Sequence, residues 1–282
     1  MEEVEQMDRK AIARQTLDIM KKGYYEIEGT RVEIRKLQDN SIRGSFLLTP
    51  EQGEALLEDY PSLKTPSFSL DKIQIWNCST VEAILRLAAE GKEMGVLNFA
   101  SAKNPGGGFL NGAKAQEESL AASSCLYKTL TAHETYYNKN RICESMMYTN
   151  HAIYSPNVVF FRDEKFALLK EPVLASVLTL PAVNMGQVLL KKEDVTLAKQ
   201  VMKERMKLVL AIFAKQECKH LILGAYGCGV FRNDPKQVAI WWRELLETFF
   251  STQFETIVFA ILDRSTEQSC IRSFQEQIQM QN

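Results

Sequence analysis

The chain of 282 residues is 45% hydrophobic and 24% charged, a composition typical of globular proteins that excludes the collagen-like and disordered classes. Its formal net charge is −1, and no block of lysines and arginines is long enough to indicate generic nucleic-acid binding. Because no apolar run approaches the ~20 residues that cross a bilayer, and the N-terminus lacks the hydrophobic core of a signal peptide, we expect a cytoplasmic protein without membrane association.

The N-terminal part, residues 1–70, is predicted to be an accessory region. Its predicted elements are, in chain order, an amphipathic helix over 4–22, a strand over the alternating RVEIRKL (31–37), a helix after Thr49 with Pro50 in its first turn, and a linker over 63–69. The change to regular alternation of strands and helices near residue 71 predicts a main domain over residues 71–282.

In the main domain, short apolar strands alternate with helices. The predicted strands cover residues 72–77, 95–101, 157–162, 174–183, 220–225 and 255–262, and the predicted helices cover 79–91, 116–131, 193–216 and 235–250. The third and fourth strands are too close in sequence for a crossover helix, so we expect a mixed sheet. The pattern predicts a three-layer α/β/α sandwich with an irregular surface segment over 132–155. Its ligand site should lie outside the carboxyl ends of the strands.

Two glycine-rich loops follow predicted strands, NPGGGF (104–109) and GAYGCGVFRNDP (224–235). Glycine lets a ligand approach the backbone closely, and successive exposed N–H groups form an anion-binding concavity. The second loop runs into a helix that Asn233 or Asp234 can cap, and a helix N-terminus also favours phosphate. Either loop alone could be a tight turn, and neither matches a Walker A or Rossmann motif. Together they predict a site for a diphosphate.

Gln116, Glu117 and Glu118 open the helix after the first glycine loop. Acidic residues in a first helical turn commonly just complement the helix dipole. Their position directly after the loop, however, returns both carboxylates to the ligand edge.

GGG followed after seven residues by QEE resembles the signature of the poly(ADP-ribose) glycohydrolases, which are built on a macrodomain. VLNFASAKNPGGGF, GAKAQEESL and ILGAYGCGVFRNDPKQVA resemble the bacterial branch of that family, and RQTLDIMKKGYY is similar to its N-terminal extension. The resemblance spans most of the chain. It implies a macrodomain-like fold and hydrolysis of the ribose–ribose O-glycosidic bonds of poly(ADP-ribose).

The resemblance also implies roles for individual residues. Glu118 would be the catalytic acid, Glu117 would anchor ribose hydroxyls, and Gln116 would support the site. The ligand-binding positions that it implies are Asn98, Ala100, Asn104, Gly106, Gly107 and Gly108 in and before the first loop, and Gly227, Cys228, Gly229, Val230, Phe231 and Asn233 in the second. Asn104 and Phe231 would contact the distal ribose, and Cys228 would be a small loop residue, not a nucleophile.

Adjacent helical residues project about 100° apart, so Glu117 and Glu118 cannot flank one glycosidic bond as glycosidase carboxylates usually do. We expect Glu118 to protonate the leaving ribose oxygen and then to activate the attacking water. This scheme uses no metal or redox cofactor, and neither the six cysteines nor the three histidines show metal-ligand spacing. The expected partner is ADP-ribose or its polymer, free or attached to protein, and a monomer is expected.

Two alternatives remain at this point. One is a hydrolase that removes single ADP-ribose units from protein or nucleic acid, and the other is a non-catalytic macrodomain that binds ADP-ribose. Fold alone cannot separate them. The presence of both Glu117 and Glu118 favours catalysis, since a binding module needs neither.

Overall fold

The computed structural model describes residues 8–64 and 69–279, in which alternating strands and helices form a seven-stranded mixed sheet and a separate two-stranded hairpin. The helices are α1 Arg9–Lys22, α2 Arg35–Gly44, α3 Pro50–Glu58, α4 Thr80–Ala89, α5 Gln116–Ser123, α6 Leu126–Thr131, α7 Glu134–Ile142, α8 Met185–Leu190, α9 Val195–Lys215, α10 Pro235–Phe249 and α11 Ser269–Phe274. The strands are β1 Tyr24–Ile27, β2 Thr30–Glu33, β3 Phe46–Leu48, β4 Ile73–Trp76, β5 Met94–Phe99, β6 Ala152–Arg162, β7 Leu168–Leu180, β8 His220–Leu223 and β9 Thr256–Ala260.

The large sheet has the order β3-β6-β7-β5-β8-β9-β4. Strands β7, β5, β8, β9 and β4 are parallel, whereas β6 runs antiparallel to β7 and to β3. The close spacing of β6 and β7 therefore produces a hairpin, and the predicted mixed sheet is confirmed. Because β5 and β8 are parallel neighbours, the two glycine loops leave the sheet at the same edge.

Successive side chains of each central strand enter opposite cores, as the two-residue period of a strand requires. Leu97 of β5 and Leu221 of β8 belong to the core that includes α9 and α10. Val96 and Ile222, their neighbours in sequence, belong to the core that includes α4, α5 and α6. Helices thus cover both faces of the sheet, which confirms the three-layer α/β/α sandwich.

Local sequence signals at several helix ends are confirmed. Gly23 ends α1 in the left-handed region, at φ 78°, and its N–H bonds the carbonyl of Ile19. Thr49 and Gln52 form a reciprocal capping box at the start of α3. The first residues of the predicted 4–22 helix and residues 65–68 of the predicted linker lie outside the described residues.

The predicted strand over 31–37 is wrong in its second half. Strand β2 ends at Glu33, and α2 begins at Arg35. The face of α2 that packs is mixed: Gln38 and Ser41 are buried, Leu37 packs against the core that contains Met20, and the Gln38 amide donates to the carbonyl of Met20 on α1. Because polar and apolar residues share this face, the short alternation in RVEIRKL is compatible with a strand as well as with a helix.

The predicted continuous helix over 116–131 is also wrong, because it breaks at Ser124. That residue is extended and bridges to Phe160 of β6. Its hydroxyl donates to the carbonyl of Leu120 and accepts from the N–H of Leu126, so it gives a partner to one backbone group at the end of α5 and one at the start of α6. A short polar side chain that bonds nearby backbone competes with continued helix.

The segment over 132–155 is not irregular surface as predicted. It contains α7 and the start of β6. Tyr136 and Tyr137 on α7 are fully buried and pack against each other at a ring distance of 4.6 Å. Their burial places α7 in the core beneath the ligand edge.

The division into residues 1–70 and 71–282 stays a prediction, and extensive contacts cross it. Strand β3 hydrogen-bonds to β6 as the edge of the large sheet. On α3, Gly53 packs against Leu208 of α9. Helix α1 contributes Ile12 and Ala13 to a small core with residues of α5. Within the described residues no helix is both long and apolar enough to span a bilayer.

Candidate active site

Gln116 attaches the first turn of α5 to the end of β5. Its Oε1 accepts the N–H of Phe99 at 2.8 Å, and its Nε2 donates to the carbonyl of Leu97 at 2.8 Å and to the hydroxyl of Thr80 at 3.2 Å. Strand β8 pairs with β5 only as far as Val96. The Gln116 side chain therefore takes the place of a neighbouring strand, and it positions the two carboxylates that follow.

Glu117 points down into the protein and is only 3% exposed. Its Oε2 accepts the N–H of Ser101 at 2.6 Å, and its Oε1 accepts from the Asn98 amide at 3.2 Å. Burial raises the pKa of Glu117 to about 8, although these two hydrogen bonds oppose the change, and the neighbouring Glu118 raises it further. Glu117 is therefore mostly protonated at neutral pH, and a protonated carboxyl can donate as well as accept.

Glu118 points toward the glycine loop and is half-buried. Its Oε1 accepts the N–H of Gly108 at 2.8 Å. Among the residues that the structure describes, nothing hydrogen-bonds its Oε2. One carboxylate oxygen is thus anchored by the loop, and the other has no partner among the described residues, so it is available for proton transfer to a bound molecule.

The first loop needs glycine for two separate reasons. Gly106 and Gly107 have φ values of 66° and 58°, in the left-handed region. A Cβ at position 107 would also overlap Oε1 of Glu118 and lie 3.1 Å from Oε2 of Glu117. The turn is closed by hydrogen bonds from Gly107 N to Asn104 O and from Phe109 N to Gly106 O, each 3.0 Å long. Backbone and carboxylates therefore form one tightly packed unit.

The second loop is held together by Asn233, which is buried. Its amide donates to the carbonyl of Gly227 at 3.0 Å and to that of Val183 at 2.8 Å. Asp234, not Asn233, caps α10 by accepting the N–H of Lys236 at 3.1 Å. The amide nitrogen of Asn233 is consequently occupied by the loop itself.

Side chains of the second loop differ in exposure. Val230 is 83% exposed, and Phe231 packs beside Tyr148 with ring centroids 6.1 Å apart. Burial holds the pKa of the Cys228 thiol well above its ordinary value, so a thiolate is disfavoured. This agrees with a structural role for Cys228.

The second loop packs against the end of β5, the strand that leads into the first loop. The ring of Phe99 lies against Gly224 and beside the tilted ring of Tyr226, with ring centroids 5.7 Å apart. Of the other predicted ligand-binding residues, Asn104 and Gly229 are exposed at this edge, whereas Asn98 and Ala100 are buried beneath it. Their contacts with a ligand stay predictions. The described residues contain no group of three or more His, Cys, Asp or Glu side chains arranged to hold a metal.

Two residues near this edge were not predicted as site residues. Tyr136 donates its hydroxyl to the carbonyl of Ser101 at 3.3 Å, from below the loop. Arg9 on α1 lines a small cavity together with Glu118. No local motif marks either residue, because each reaches the site through tertiary packing.

Comparison with known proteins assigns this arrangement to a family. The family model described as the microbial-type PARG catalytic domain matches residues 13–163, which include the first glycine loop and both carboxylates. The chain belongs to the microbial-type poly(ADP-ribose) glycohydrolases. A comparison with curated protein sequences gave no match.

Solved structures of poly(ADP-ribose) glycohydrolases resemble the whole fold. That from Thermomonospora curvata is 37% identical with a TM-score of 0.89, covering 95% of this chain and 98% of that one. A structure of the same enzyme bound to the inhibitor ADP-HPD is 38% identical with a TM-score of 0.86, covering 94% and 97%. The enzyme from Deinococcus radiodurans in complex with ADP-ribose is 40% identical with a TM-score of 0.79, covering 90% and 98%. The sandwich is therefore the fold of this glycohydrolase family.

Proposed function

We propose that the chain hydrolyses the ribose–ribose O-glycosidic bonds of poly(ADP-ribose), releasing ADP-ribose, with Glu118 as general acid and base. The observation that carries the assignment of Glu118 is its geometry. One carboxylate oxygen accepts the N–H of Gly108 at 2.8 Å, in the loop that leaves β5 at the sheet edge it shares with the second loop, and the other has no hydrogen-bond partner among the described residues.

The proposed ligand is the terminal ADP-ribose unit. Its diphosphate would lie between the two loops, where backbone N–H groups of glycine can approach it. The complex of the D. radiodurans relative with ADP-ribose supports this ligand. Attachment of the polymer to protein, a monomeric state and a cytoplasmic location stay predictions.

In the proposed mechanism, the proton of Glu118 passes to the leaving ribose oxygen as the bond to C1″ of the terminal ribose breaks. The electron pair of that bond leaves with the oxygen, and an oxocarbenium-like centre develops at C1″. Glu118, now ionised, then takes a proton from the water that attacks C1″. Glu117, held by Ser101 and Asn98, would bind ribose hydroxyls from below and fix the sugar.

The test is release of ADP-ribose from poly(ADP-ribosyl)ated protein by the unmodified chain and by Glu118→Gln. We expect a loss of at least about a hundredfold in kcat for the variant, because it can neither give nor take the proton. Glu134→Gln is the matched control, since Glu134 also lies in a first helical turn but is exposed on α7.

Two outcomes would contradict the proposal in different ways. If the unmodified chain binds ADP-ribose but releases none from the polymer, the hydrolase function fails. If Glu118→Gln releases ADP-ribose as fast as the unmodified chain does, the function stands and the role of Glu118 fails.

A further inference from the structure

The first turn of α1 lies directly against the catalytic loop. Arg9 and Glu118 line the same small cavity, together with residues of the turn after the glycines and of the β6–β7 hairpin. At Gly112 a Cβ would lie 3.3 Å from the Cβ of Arg9. No residue of the second glycine loop lines this cavity. Arg9 therefore stands beside Glu118 at the Phe109 end of the first glycine loop, in a cavity that the second loop does not line.

The Arg9 guanidinium is held in place by an aromatic ring. It lies over Phe166 with 5.0 Å to the ring centroid, a distance typical of a cation–π contact. Phe166 is itself fixed, because its N–H bonds the carbonyl of Asp163 and its carbonyl accepts from Arg162 at 2.7 Å. A guanidinium that rests on an anchored ring is preorganised for a ligand.

The charge of Arg9 is not neutralised within the described residues, where no carboxylate lies within ion-pair distance of it. Glu118 lines the same cavity as Arg9, and the positive charge of Arg264, which follows β9 at the carboxyl edge of the sheet, also acts on Arg9. Burial lowers the pKa of Arg9, Glu118 raises it and Arg264 lowers it. Arg9 thus lies beside the Glu118 carboxylate without an ion-pair partner among the described residues, and Arg264 adds positive charge to its surroundings, in a protein whose overall charge is −1.

In a poly(ADP-ribose) substrate, the diphosphate of the next polymer unit is an anion that could lie beside Arg9. The oxygen that Glu118 protonates belongs to a ribose of the next polymer unit, and that unit carries its own diphosphate. Because the terminal diphosphate occupies the two loops, the next unit must leave on the other side of the scissile bond. Guanidinium groups bind phosphate through paired, charge-assisted hydrogen bonds.

We propose that Arg9, assisted by Arg264, binds the diphosphate of the departing polymer unit. This subsite rests on the proposed hydrolysis of poly(ADP-ribose). It makes Arg9 a specificity-determining residue that distinguishes a polymer from a single ADP-ribose joined to an uncharged group.

The test compares two substrates that share the terminal unit. One is poly(ADP-ribose), and the other is ADP-ribose that carries a neutral aryl group at C1″. The measured quantity is the ratio of kcat/KM for the polymer to kcat/KM for the aryl compound, for the unmodified chain and for Arg9→Ala, Arg9→Lys and Arg264→Ala. Arg14→Ala is the matched control, since Arg14 lies on the same helix and is exposed, 3.5 Å from Asp8.

We expect the ratio to fall roughly tenfold for Arg9→Ala, the effect of losing one charge-assisted hydrogen bond. It should fall less for Arg9→Lys, which keeps the positive charge but loses the paired N–H donors of the guanidinium group. Arg264→Ala should lower it several-fold, and Arg14→Ala should leave it unchanged. Raising the salt concentration should reduce the ratio more for the unmodified chain than for Arg9→Ala.

An unchanged ratio in both Arg9→Ala and Arg264→Ala overturns the subsite while the hydrolase function stands. Equal losses on both substrates also overturn it, because Arg9 would then act through Glu118 or through the fold. Failure of the unmodified chain to cleave the polymer refutes the function and the subsite together. If thermal melting shows that Arg9→Ala is unfolded, Arg9→Lys and the exposed Arg264→Ala decide the question.

Discussion

Glu117 and Glu118 are neighbours in sequence, yet they occupy different environments. The backbone of α5 directs Glu117 into the protein, where it is 3% exposed, and directs Glu118 to the glycine loop. The sequence predicted unequal roles from helical geometry alone. It could not predict the raised pKa of Glu117, because that depends on burial by residues far away in the chain.

Substitution of Gly107 tests how closely the loop and the acid fit. In Gly107→Ala the new methyl group would overlap Oε1 of Glu118 at a position where φ is 58°. Displacement of a catalytic group by about 1 Å can cost on the order of a hundredfold in rate, so we expect kcat/KM to fall by about that factor. The measurement is ADP-ribose release, with thermal melting to confirm folding.

Gly29→Ala is the control for Gly107→Ala. Gly29 lies in the turn between β1 and β2 with a φ of 77°, and a Cβ there has no atom within 4 Å. Left-handed strain alone costs roughly 1–2 kcal/mol, which both variants share. If the two variants lose activity equally, steric displacement of Glu118 is not the cause.

The elements that carry the site differ in how well their sequence predicts them. Both glycine loops, the strands before them and the start of α5 at Gln116 follow local signals, and the structure has them where predicted. The end of α5 does not, because Ser124 leaves the helix to pair with β6. The attachment of α5 to β5 could not be predicted either. In the sequence Gln116 is an ordinary first-turn residue, and its role depends on the unpaired backbone groups at the end of β5, which only the tertiary structure places beside it.

Gln116 is therefore predicted to stabilise the join between α5 and β5. Gln116→Met keeps the length of the side chain but removes its hydrogen bonds to Phe99 N and to Leu97 O. Each buried backbone group left unsatisfied costs ~1–3 kcal/mol, so the free energy of unfolding should fall by about 2–4 kcal/mol. Denaturant unfolding measures this change, and kcat should fall as α5 loses its position.

Gln187→Met provides the comparison. Gln187 is exposed on α8, and its side chain makes no hydrogen bond among the described residues. The free energy of unfolding of this variant should stay within about 0.5 kcal/mol of the unmodified value. Equal destabilisation of the two variants would contradict the role of Gln116.

At the scale of the whole molecule, the three layers could be predicted from the sequence, but the order of the strands in the sheet could not. Alternating strands and helices indicate a sandwich, but nothing local specifies the order β3-β6-β7-β5-β8-β9-β4. That order makes β5 and β8 neighbours and so brings the two loops together. In the same order, β3 from the N-terminal region is the edge strand next to β6. Helix α1, also from that region, places Arg9 beside Glu118. These pairings join residues distant in sequence, which periodicity cannot report.

The stability of the whole molecule should depend on pH through Glu117. Its pKa is about 8 in the folded protein, against an ordinary value of 4.5. Between these values the folded state binds a proton that the unfolded chain has released, so stability falls as pH rises. The contribution is fully present below pH 4.5 and fully lost above pH 8. One pKa unit corresponds to about 1.4 kcal/mol, so the total change should reach several kcal/mol.

Glu117→Gln isolates this effect, because glutamine keeps the shape of the carboxyl without its ionisation. Denaturant unfolding from pH 5 to pH 9 gives the free energy of unfolding of both proteins. Up to pH 8 the value for the unmodified chain should fall relative to that for Glu117→Gln. Above pH 8 the difference between the two values should stay constant. Glu134→Gln, which removes an exposed carboxylate from α7, should follow the unmodified chain throughout. Parallel curves for the unmodified chain and Glu117→Gln across the whole range would mean that Glu117 is ionised in the folded protein. Its hydrogen bonds from Ser101 and Asn98 would then outweigh its burial.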